Sequence, residues 1–177
     1  RATVFMGVPT FYVRMLGEAA LTRAAAAHMR LFISGSAPLL IETFRAWQER
    51  TGHTILERYG MSETTMLTSN PYGPDARFGG QDERRGGTVG FPLPGVDLRI
   101  AGATDQPLPA GEIGSIQVRG ASVFGGYWRM PEKTAQEFTA DGWFRTGDVG
   151  QMDARGYVHI VGRGKDLIIS GGYNVYP

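Results

Sequence analysis

Residues 57–64 combine the side chains that a nucleotide and its metal ion need. Tyr59 offers a ring that can stack on a base, and Gly60 allows backbone N–H groups to approach phosphate oxygens. Glu63 supplies a carboxylate, a hard oxygen ligand that suits Mg²⁺. The alternative is a strand that ends in a polar turn, whose hydroxyl residues cap the next helix. This segment alone does not decide between the two.

Two further segments have residue types that suit a nucleotide. Residues 34–39 join a strand to a helix through small side chains, so a base or a carboxylate could approach the backbone closely. Asp148 follows two aromatic residues and a glycine, and one carboxylate can accept hydrogen bonds from both hydroxyls of a ribose. The alternatives are a strand–helix turn with serine caps and a turn aspartate, respectively.

Glycines and cations near the end of the sequence are compatible with contact with a ligand. Residues 162–166 place Arg163 and Lys165 beside glycines, which suits a nucleotide contact next to a hinge and equally suits a solvated loop. Gly171 and Gly172 follow a predicted strand, and such a turn either passes close to a ligand or simply has a positive φ. Residues 111–120 and 125–128 are explained as strand and turn, and we assign them no chemistry.

The elements that position these residues follow an α/β pattern in the first half of the chain. A helix begins near Pro9 and has Arg14 in its second turn. Residues 31–33 and 54–56 are predicted strands, separated by a helix over residues 39–50 whose Leu40, Phe44 and Trp47 share one face. Ligands of open α/β sheets bind at the loops that leave the strand ends. This pattern places residues 34–39 and 57–64 where such a ligand would bind.

The second half of the chain has a β-rich pattern. Residues 70–87 are predicted to form a surface loop, because Gly, Pro, Asp and Arg occur there without periodicity. Short strands are then predicted at residues 96–100, 113–119, 149–152 and 157–161, with a brief helix at 131–138 and a new element from residue 166. We expect a small β-rich subdomain or a barrel.

Composition excludes several function classes. A net charge of +1 gives no electrostatic basis for binding nucleic acid, and no apolar run reaches the length of a membrane span. The absence of cysteine excludes disulfides and thiolate chemistry within the 177 residues. His28, His53 and His159 lack the spacing of metal ligands. The chain lacks an initiator methionine, so we expect a piece of a longer cytoplasmic protein whose targeting segment, if there is one, lies outside these residues.

Five motifs occur in a specific order along the chain. They are Ser-Gly-Ser-Ala-Pro-Leu at 34–39, Tyr-Gly-Met-Ser-Glu-Thr at 59–64, Gly-Glu-Ile-Gly at 111–114, Arg-Thr-Gly-Asp at 145–148 and Gly-Arg-Gly-Lys-Asp-Leu-Ile-Ile-Ser-Gly-Gly-Tyr-Asn at 162–174. In this order they resemble the adenylate-forming superfamily of acyl-CoA synthetases, adenylation domains and luciferases. Residues 7–14, 57–61 and 125–133 are similar to its malonyl-CoA synthetase branch.

The resemblance implies a domain organisation and a reaction. Residues 1–91 would belong to the α/β part of a large AMP-binding domain, 92–164 to its β-rich subdomain, and 165–177 to the hinge and first strand of a small C-terminal domain. The fold class is therefore α/β. The implied enzyme is an AMP-forming acid–thiol ligase: a carboxylate attacks ATP to give acyl-AMP and pyrophosphate, and coenzyme A then displaces AMP.

The resemblance also implies roles for individual residues. Those expected to bind ATP are Gly35, Ser36, Ala37, Pro38, Glu57, Arg58, Tyr59, Gly60, Met61, Thr64, Asp148 and Arg163. Among them, Thr64 would contact the α-phosphate and Asp148 the ribose, while Glu63 would hold Mg²⁺ and act with Thr64 in catalysis. Lys165 would be the hinge, Gly171 and Gly172 would line the coenzyme A tunnel, and Gly60 and Met61 would also border the acyl pocket.

The implied acyl substrate is malonate or methylmalonate. A dicarboxylate needs a cation at the far end of its pocket, and the candidates are Arg14 with Ser34 as a second donor. The alternatives are Arg14 as a surface residue, another short- or medium-chain acyl-CoA ligase, a domain that loads a carrier protein, and a nucleotide-binding module without catalysis. The family's phosphate loop and catalytic lysine lie outside these residues, so we expect the isolated chain to be inactive. Its partners would be small molecules, in an unknown oligomeric state.

Overall fold

The structure is a computed structural model that describes residues 2–73 and 83–164, and the backbone alone of 168–170 and 173–175. It contains two compact units. The first comprises residues 1–60 and 68–91, and the second comprises residues 61–67 and 92–177. The assignment of these parts to named domains of a longer protein stays a prediction.

A parallel arrangement of strands organises the first unit. Strands β1 (Val4–Gly7), β2 (Leu31–Ser34) and β3 (Ile55–Met61) pair in parallel, with Phe32 opposite both Phe5 and Ile55. Strands β4 (Thr65–Ser69) and β5 (Phe91–Pro92) complete a sheet of order β1-β2-β3-β4-β5. The predicted α/β fold class is confirmed.

Three helices connect or follow these strands. They are α1 (Pro9–Leu16), α2 (Arg23–Ala26) and α3 (Ile41–Thr51). Proline at the first position of α1 fits the fixed φ of that residue, as predicted. Helix α3 ends at Gly52, whose φ of 78° lies in the left-handed region that glycine adopts without steric cost.

The core of the first unit is built from aromatic side chains. The ring of Trp47 is fully buried and lies edge-on to Tyr12 and to Phe32, at centroid distances of 4.9 and 5.0 Å. The prediction that Leu40 shares this face of α3 is wrong: Leu40 precedes the helix and is 67 % exposed, whereas Leu39 is buried. The helix begins two residues later than predicted, which places Leu40 at its N-cap.

The segment around Tyr59 differs from the sequence prediction. Strand β3 continues through residues 57–61, and the turn after it leads directly into β4. The alternative in which Ser62 or Thr64 caps a helix is therefore wrong. Likewise, the N-cap of α3 is Leu40 and neither of the serines in residues 34–38, so the serine-cap alternative for that loop is also wrong.

The second unit contains an antiparallel sheet of order β6-β7-β8-β9. Its strands are β6 (Val96–Ala101), β7 (Gly114–Gly120), β8 (Phe144–Met152) and β9 (Val158–Arg163), with α4 (Pro131–Glu137) before β8. The four predicted strands and the brief helix are confirmed, and the described strands form an open sheet, so the barrel alternative is wrong. Buried side chains such as Ile116, Val118 and Val158 form its apolar layer.

A short hairpin follows the second sheet along the chain. Strands β10 (Ile168–Ser170) and β11 (Tyr173–Val175) pair antiparallel, with Ile169 opposite Asn174. The predicted strand in this region is confirmed. Within the described residues, no helix is both long and apolar enough to cross a membrane.

Replacing Trp47 by alanine should destabilise the protein by about 3–5 kcal/mol, because it leaves a cavity among Tyr12 and Phe32 that the packed rings cannot fill. The measurement is urea unfolding of the full-length protein, followed by circular dichroism. The matched control is Leu40→Ala, which removes an exposed side chain and should change stability by less than about 1 kcal/mol. Equal losses in the two variants would contradict the assignment of the core.

Candidate nucleotide and carboxylate site

The carboxyl ends of the parallel strands bring several predicted residues of the first unit to one edge. Gly7 lies opposite Ser34, and Ser34 lies opposite Glu57, in the parallel ladders. The loop after Ser34 exposes residues 36–38, and Ser36 has a φ of 68°. A Cβ atom on Gly35 would lie 3.3 Å from the carbonyl oxygen of Arg58, so a side chain there would crowd β3.

Glu57 is the most buried acidic residue of this edge, at 5 % exposure. Backbone N–H groups of Leu39 and Gly87 donate hydrogen bonds to its carboxylate, while Oε1 has no hydrogen-bond partner among the described residues. Burial outweighs these two hydrogen bonds and raises the pKa of Glu57 to about 7. The carboxyl group thus links the residues that follow the 34–38 loop to those before β5.

The residues that follow Glu57 on β3 differ in burial and in the direction of their side chains. Tyr59 is buried at 8 % exposure, and Gly60 is half-buried. The Arg58 guanidinium donates through Nη2 to the sulfur of Met6, 2.7 Å away. Tyr59 and Arg58 are successive residues of a strand, so their side chains point to opposite faces of the sheet.

The turn of residues 61–64 belongs to the second unit. Thr64 is fully buried, and its hydroxyl accepts a hydrogen bond from the Met61 N–H at 3.3 Å and donates to the Thr65 carbonyl at 3.1 Å. The Thr64 N–H donates to the Met61 carbonyl at 3.1 Å, which closes the turn. In this structure the threonine hydroxyl is therefore engaged by the backbone of its own turn.

Glu63 has a partner that the sequence analysis did not identify. The phenol of Tyr127 donates to its Oε1 at 3.1 Å, and the Phe124 N–H donates to its backbone carbonyl at 2.8 Å. Burial and the adjoining carboxylate raise the pKa of Tyr127 above its ordinary value. The sequence of residues 125–128 indicates only strand and turn structure, and no spacing pattern links two residues 64 positions apart.

Asp148 and Arg163 lie together in the second unit. They are opposite each other in the antiparallel pairing of β8 and β9, and Arg163 Nε lies 3.2 Å from Asp148 Oδ1. The side chain of Asp148 is 8 % exposed and that of Arg163 is 67 % exposed. Asp148 is part of a strand, so the turn-aspartate alternative is wrong.

Arg145, in the same motif, has a structural role. Its guanidinium donates two parallel hydrogen bonds to the carboxylate of Asp105, and its Nη1 donates to the carbonyls of Gln136 and Phe138 at 2.9 and 3.0 Å. This hydrogen bonding to Arg145 holds the pKa of Asp105 below its ordinary value. Arg145 thus ties β8 to the chain around α4, and nothing in the motif alone indicates this.

The proposed carboxylate-binding residues lie in adjoining elements. Arg14 is exposed on α1, as the surface-residue alternative also requires. The Tyr12 hydroxyl donates to the Ile33 carbonyl at 2.6 Å, which fixes α1 to the end of β2. There, Ser34 is 1 % exposed, and its hydroxyl oxygen has no hydrogen-bond partner among the described residues.

Three predicted residues cannot be placed. Lys165, Gly171 and Gly172 lie outside the described residues. Among the residues that the structure does describe, no group of three or more His, Cys, Asp or Glu side chains could hold a metal ion. His53 instead packs edge-on against Phe32 at 5.2 Å, in agreement with a packing role.

The first unit contains a cavity of about 650 Å³. It is lined by α3 and the chain on both sides of residues 74–82, and its described lining includes none of the predicted nucleotide-binding residues. Arg84, in its wall, donates to the carbonyls of Thr54, Pro71 and Tyr72 at 2.9–3.1 Å. Because these bonds occupy the guanidinium, we interpret Arg84 as a structural support.

Glu57 should make stability depend on pH. The folded protein binds the proton more tightly than the unfolded chain, so the stabilisation is complete below pH 4.5 and is lost as the pH rises through about 7. At about 1.4 kcal/mol per pKa unit, the loss amounts to roughly 3 kcal/mol. Glu57→Gln should flatten this dependence in thermal unfolding between pH 5 and 8, whereas the exposed Glu49→Gln should retain it. Retention of the full dependence in Glu57→Gln would refute this account.

Comparison with known proteins identifies the family of the chain. The AMP-binding enzyme family matches residues 1–128. The malonate–CoA ligase of Arabidopsis thaliana is 41 % identical, over 98 % of this chain and 28 % of the relative. A long-chain-fatty-acid–CoA ligase of Bacillus subtilis is 37 % identical, over 100 % of this chain and 30 % of the relative. The chain thus spans about a third of the length of the curated relatives it matches.

A solved structure agrees with the fold. The ATP-bound crystal structure of MatB from Rhodopseudomonas palustris superposes with a TM-score of 0.93 at 60 % sequence identity, covering 100 % of this chain and 34 % of that one. The chain belongs to the AMP-binding enzyme family.

Proposed function

We propose that the protein containing this chain activates malonate with ATP to malonyl-AMP and transfers the malonyl group to coenzyme A. In the first step a carboxylate oxygen of malonate bonds to the α-phosphorus of ATP, and pyrophosphate leaves. In the second step the thiol of coenzyme A attacks the carbonyl carbon, AMP leaves, and the thiol proton passes to water. The relative named malonate–CoA ligase supports malonate as the acid, and the ATP-bound MatB structure supports ATP as the nucleotide.

One observation of the first unit carries the choice of malonate. Helix α1, with the cation of Arg14, is fixed by Tyr12 to the end of β2, where the buried hydroxyl of Ser34 has no partner among the described residues. A second carboxylate, on the substrate, would be costly to bury without a cation and a donor. Arg14 and Ser34 are the groups of the first unit that we assign to binding this second carboxylate.

The nucleotide roles rest on residue types and on their placement in each unit. Tyr59 stacks on the adenine, whose other face lies against residues 35–38, and the backbone of Gly60 and Met61 borders the acyl group. Asp148 accepts hydrogen bonds from the ribose hydroxyls, and its partner Arg163 assists. Glu57 and Arg58 position the strand that carries Tyr59. Thr64 binds the α-phosphate once its hydroxyl turns from the Thr65 carbonyl.

Glu63 fits the role of a Mg²⁺ ligand. Mg²⁺ in nucleotide sites is held by one or two carboxylates together with substrate phosphates and water, so a single half-buried carboxylate is sufficient. When bound, Mg²⁺ neutralises negative charge on the phosphates. The chain's own contribution is to hold the Glu63 carboxylate in place.

A second candidate function is the activation of a longer or uncharged acid by the same chemistry. The fatty-acid ligase relative has nearly the same identity as the malonate ligase relative, 37 % against 41 %. This candidate requires that Arg14 be a surface residue without contact to the acyl group.

The experiment that tests the proposal measures acid-dependent pyrophosphate release by the full-length protein. Malonate, methylmalonate, butyrate and octanoate are compared at equal concentration, with ATP, Mg²⁺ and coenzyme A. We expect kcat/KM for malonate to exceed that for butyrate by at least about a hundredfold, because butyrate leaves Arg14 without a partner. A preference for octanoate would support the second candidate and refute the first.

A further inference from the structure

We infer that Tyr127 is a positioning residue for the carboxylate that holds the metal ion. The inference rests on the proposed function, in which Glu63 binds Mg²⁺. Within the second unit, the segment containing Tyr127 contacts Glu63 twice: the Phe124 N–H donates to the Glu63 carbonyl at 2.8 Å, and the Tyr127 phenol donates to Glu63 Oε1 at 3.1 Å. Backbone and side chain of the glutamate are therefore both held from one short segment.

Tyr127 is itself fixed by its surroundings. Its N–H donates to Thr134 Oγ1 at 2.9 Å, and that hydroxyl donates to the Met130 carbonyl at 2.9 Å, in the first turn of α4. The ring lies edge-on to Phe124 at 4.8 Å, and Lys133 Nζ lies 4.4 Å from its centroid. These contacts hold the tyrosine at its backbone and on its ring, so the phenol oxygen occupies a defined position.

The close approach of α4 depends on Gly126. Its φ is 140°, and a Cβ atom there would lie 2.6 Å from Thr134 Cγ2. A larger residue would therefore push the helix from the backbone of Tyr127. The sequence before Tyr127 is thus constrained by the need to hold this tyrosine against α4.

The chemistry of the contact suits a metal ligand. A phenol donates one hydrogen bond, so it occupies one lone pair of Oε1 and leaves the other oxygen of Glu63 for a cation. Glutamate otherwise loses considerable rotamer entropy when it is ordered by a metal ion. Hydrogen-bonded partners of ligating carboxylates orient them, and their removal costs ten- to a hundredfold in metal affinity. Tyr127 would act in this way on Glu63.

The test uses Mn²⁺ as the probe and does not depend on turnover. Mn²⁺ is titrated into the full-length protein with α,β-methylene-ATP, and free Mn²⁺ is measured by electron paramagnetic resonance. Tyr127→Phe, which keeps the ring and removes the donor, should weaken Mn²⁺ binding about tenfold. Tyr72→Phe, at a tyrosine that is 60 % exposed, is the matched control and should leave the affinity unchanged.

Two further measurements separate the inference from the proposed function. Glu63→Gln should weaken Mn²⁺ binding more than Tyr127→Phe, and the double variant should bind no more weakly than Glu63→Gln alone. If Glu63→Gln binds Mn²⁺ normally, the metal assignment fails and the inference with it. If Glu63→Gln weakens binding and Tyr127→Phe does not, only the inference is overturned. Nucleotide binding is also measured in EDTA, without metal. If Tyr127→Phe weakens it as much as it weakens Mn²⁺ binding, Tyr127 has a structural role and the inference is overturned.

Discussion

Replacing Asp148 by asparagine should raise the KM for ATP by about ten- to a hundredfold. A hydrogen bond to a charged group contributes about 1.5–3 kcal/mol, and each 1.4 kcal/mol is a factor of ten in affinity. The asparagine keeps the size of the buried side chain, and Arg163 stays solvated because it is 67 % exposed. The loss should therefore appear in nucleotide binding and not in folding.

Asp97→Asn is the matched control for this prediction. Asp97 pairs with Arg119 across β6 and β7 at 3.1 Å, as Asp148 pairs with Arg163 across β8 and β9, but its side chain is 61 % exposed. The KM for ATP is measured from pyrophosphate release by the full-length variants, with thermal unfolding as a check on the fold. An unchanged KM for ATP in Asp148→Asn, or an equal rise in Asp97→Asn, would contradict the assignment of Asp148 to the ribose.

Replacing Arg14 by alanine should reduce kcat/KM for malonate by roughly thirty- to several-thousandfold, while butyrate is used as well as before or better. In the proposed complex, malonate would bury the charge pair between its far carboxylate and Arg14. Truncating one partner of a buried charge pair costs about 2–5 kcal/mol, which corresponds to roughly thirty- to several-thousandfold. The carboxylate at the far end of malonate would lose its cation, whereas butyrate carries no such group. Arg14 is exposed on α1, so its removal should leave stability nearly unchanged.

The control for Arg14 is Arg45→Ala, which removes another exposed arginine from a helix of the same unit. Steady-state kinetics with malonate and butyrate should give wild-type values for that variant. A parallel loss for both acids in Arg14→Ala would show a general structural effect. Unchanged use of malonate would refute the assignment of Arg14 and favour the fatty-acid alternative.

The sequence predicted elements well where one local pattern dominates. Pro9 begins α1, and the four strands of the second sheet follow from short β-branched segments between turn residues. The ends of elements were less predictable. Strands β3 and β8 continue through the glycine-containing motifs around Tyr59 and Asp148, because pairing with neighbouring strands outweighs the local preference of glycine for turns.

The candidate site was predictable only in part. Residue types identified Asp148 and Arg163, and the pairing of β8 with β9 brings them together. Two contacts gave no signal in the sequence. Tyr127 reaches Glu63 across 64 positions, and Glu57 accepts hydrogen bonds from the backbone of Leu39 and Gly87, whose N–H groups every residue except proline has. Such contacts depend on tertiary packing, so a local pattern cannot encode them.

The most direct test of the central claim follows the oxygen atoms of malonate. The full-length protein is supplied with ¹⁸O-labelled malonate, ATP, Mg²⁺ and coenzyme A, and the phosphorus-containing products are analysed by mass spectrometry. If a malonate carboxylate attacks the α-phosphorus, AMP must carry one ¹⁸O atom and pyrophosphate none. Label in orthophosphate together with ADP, or AMP without label, would contradict adenylate formation.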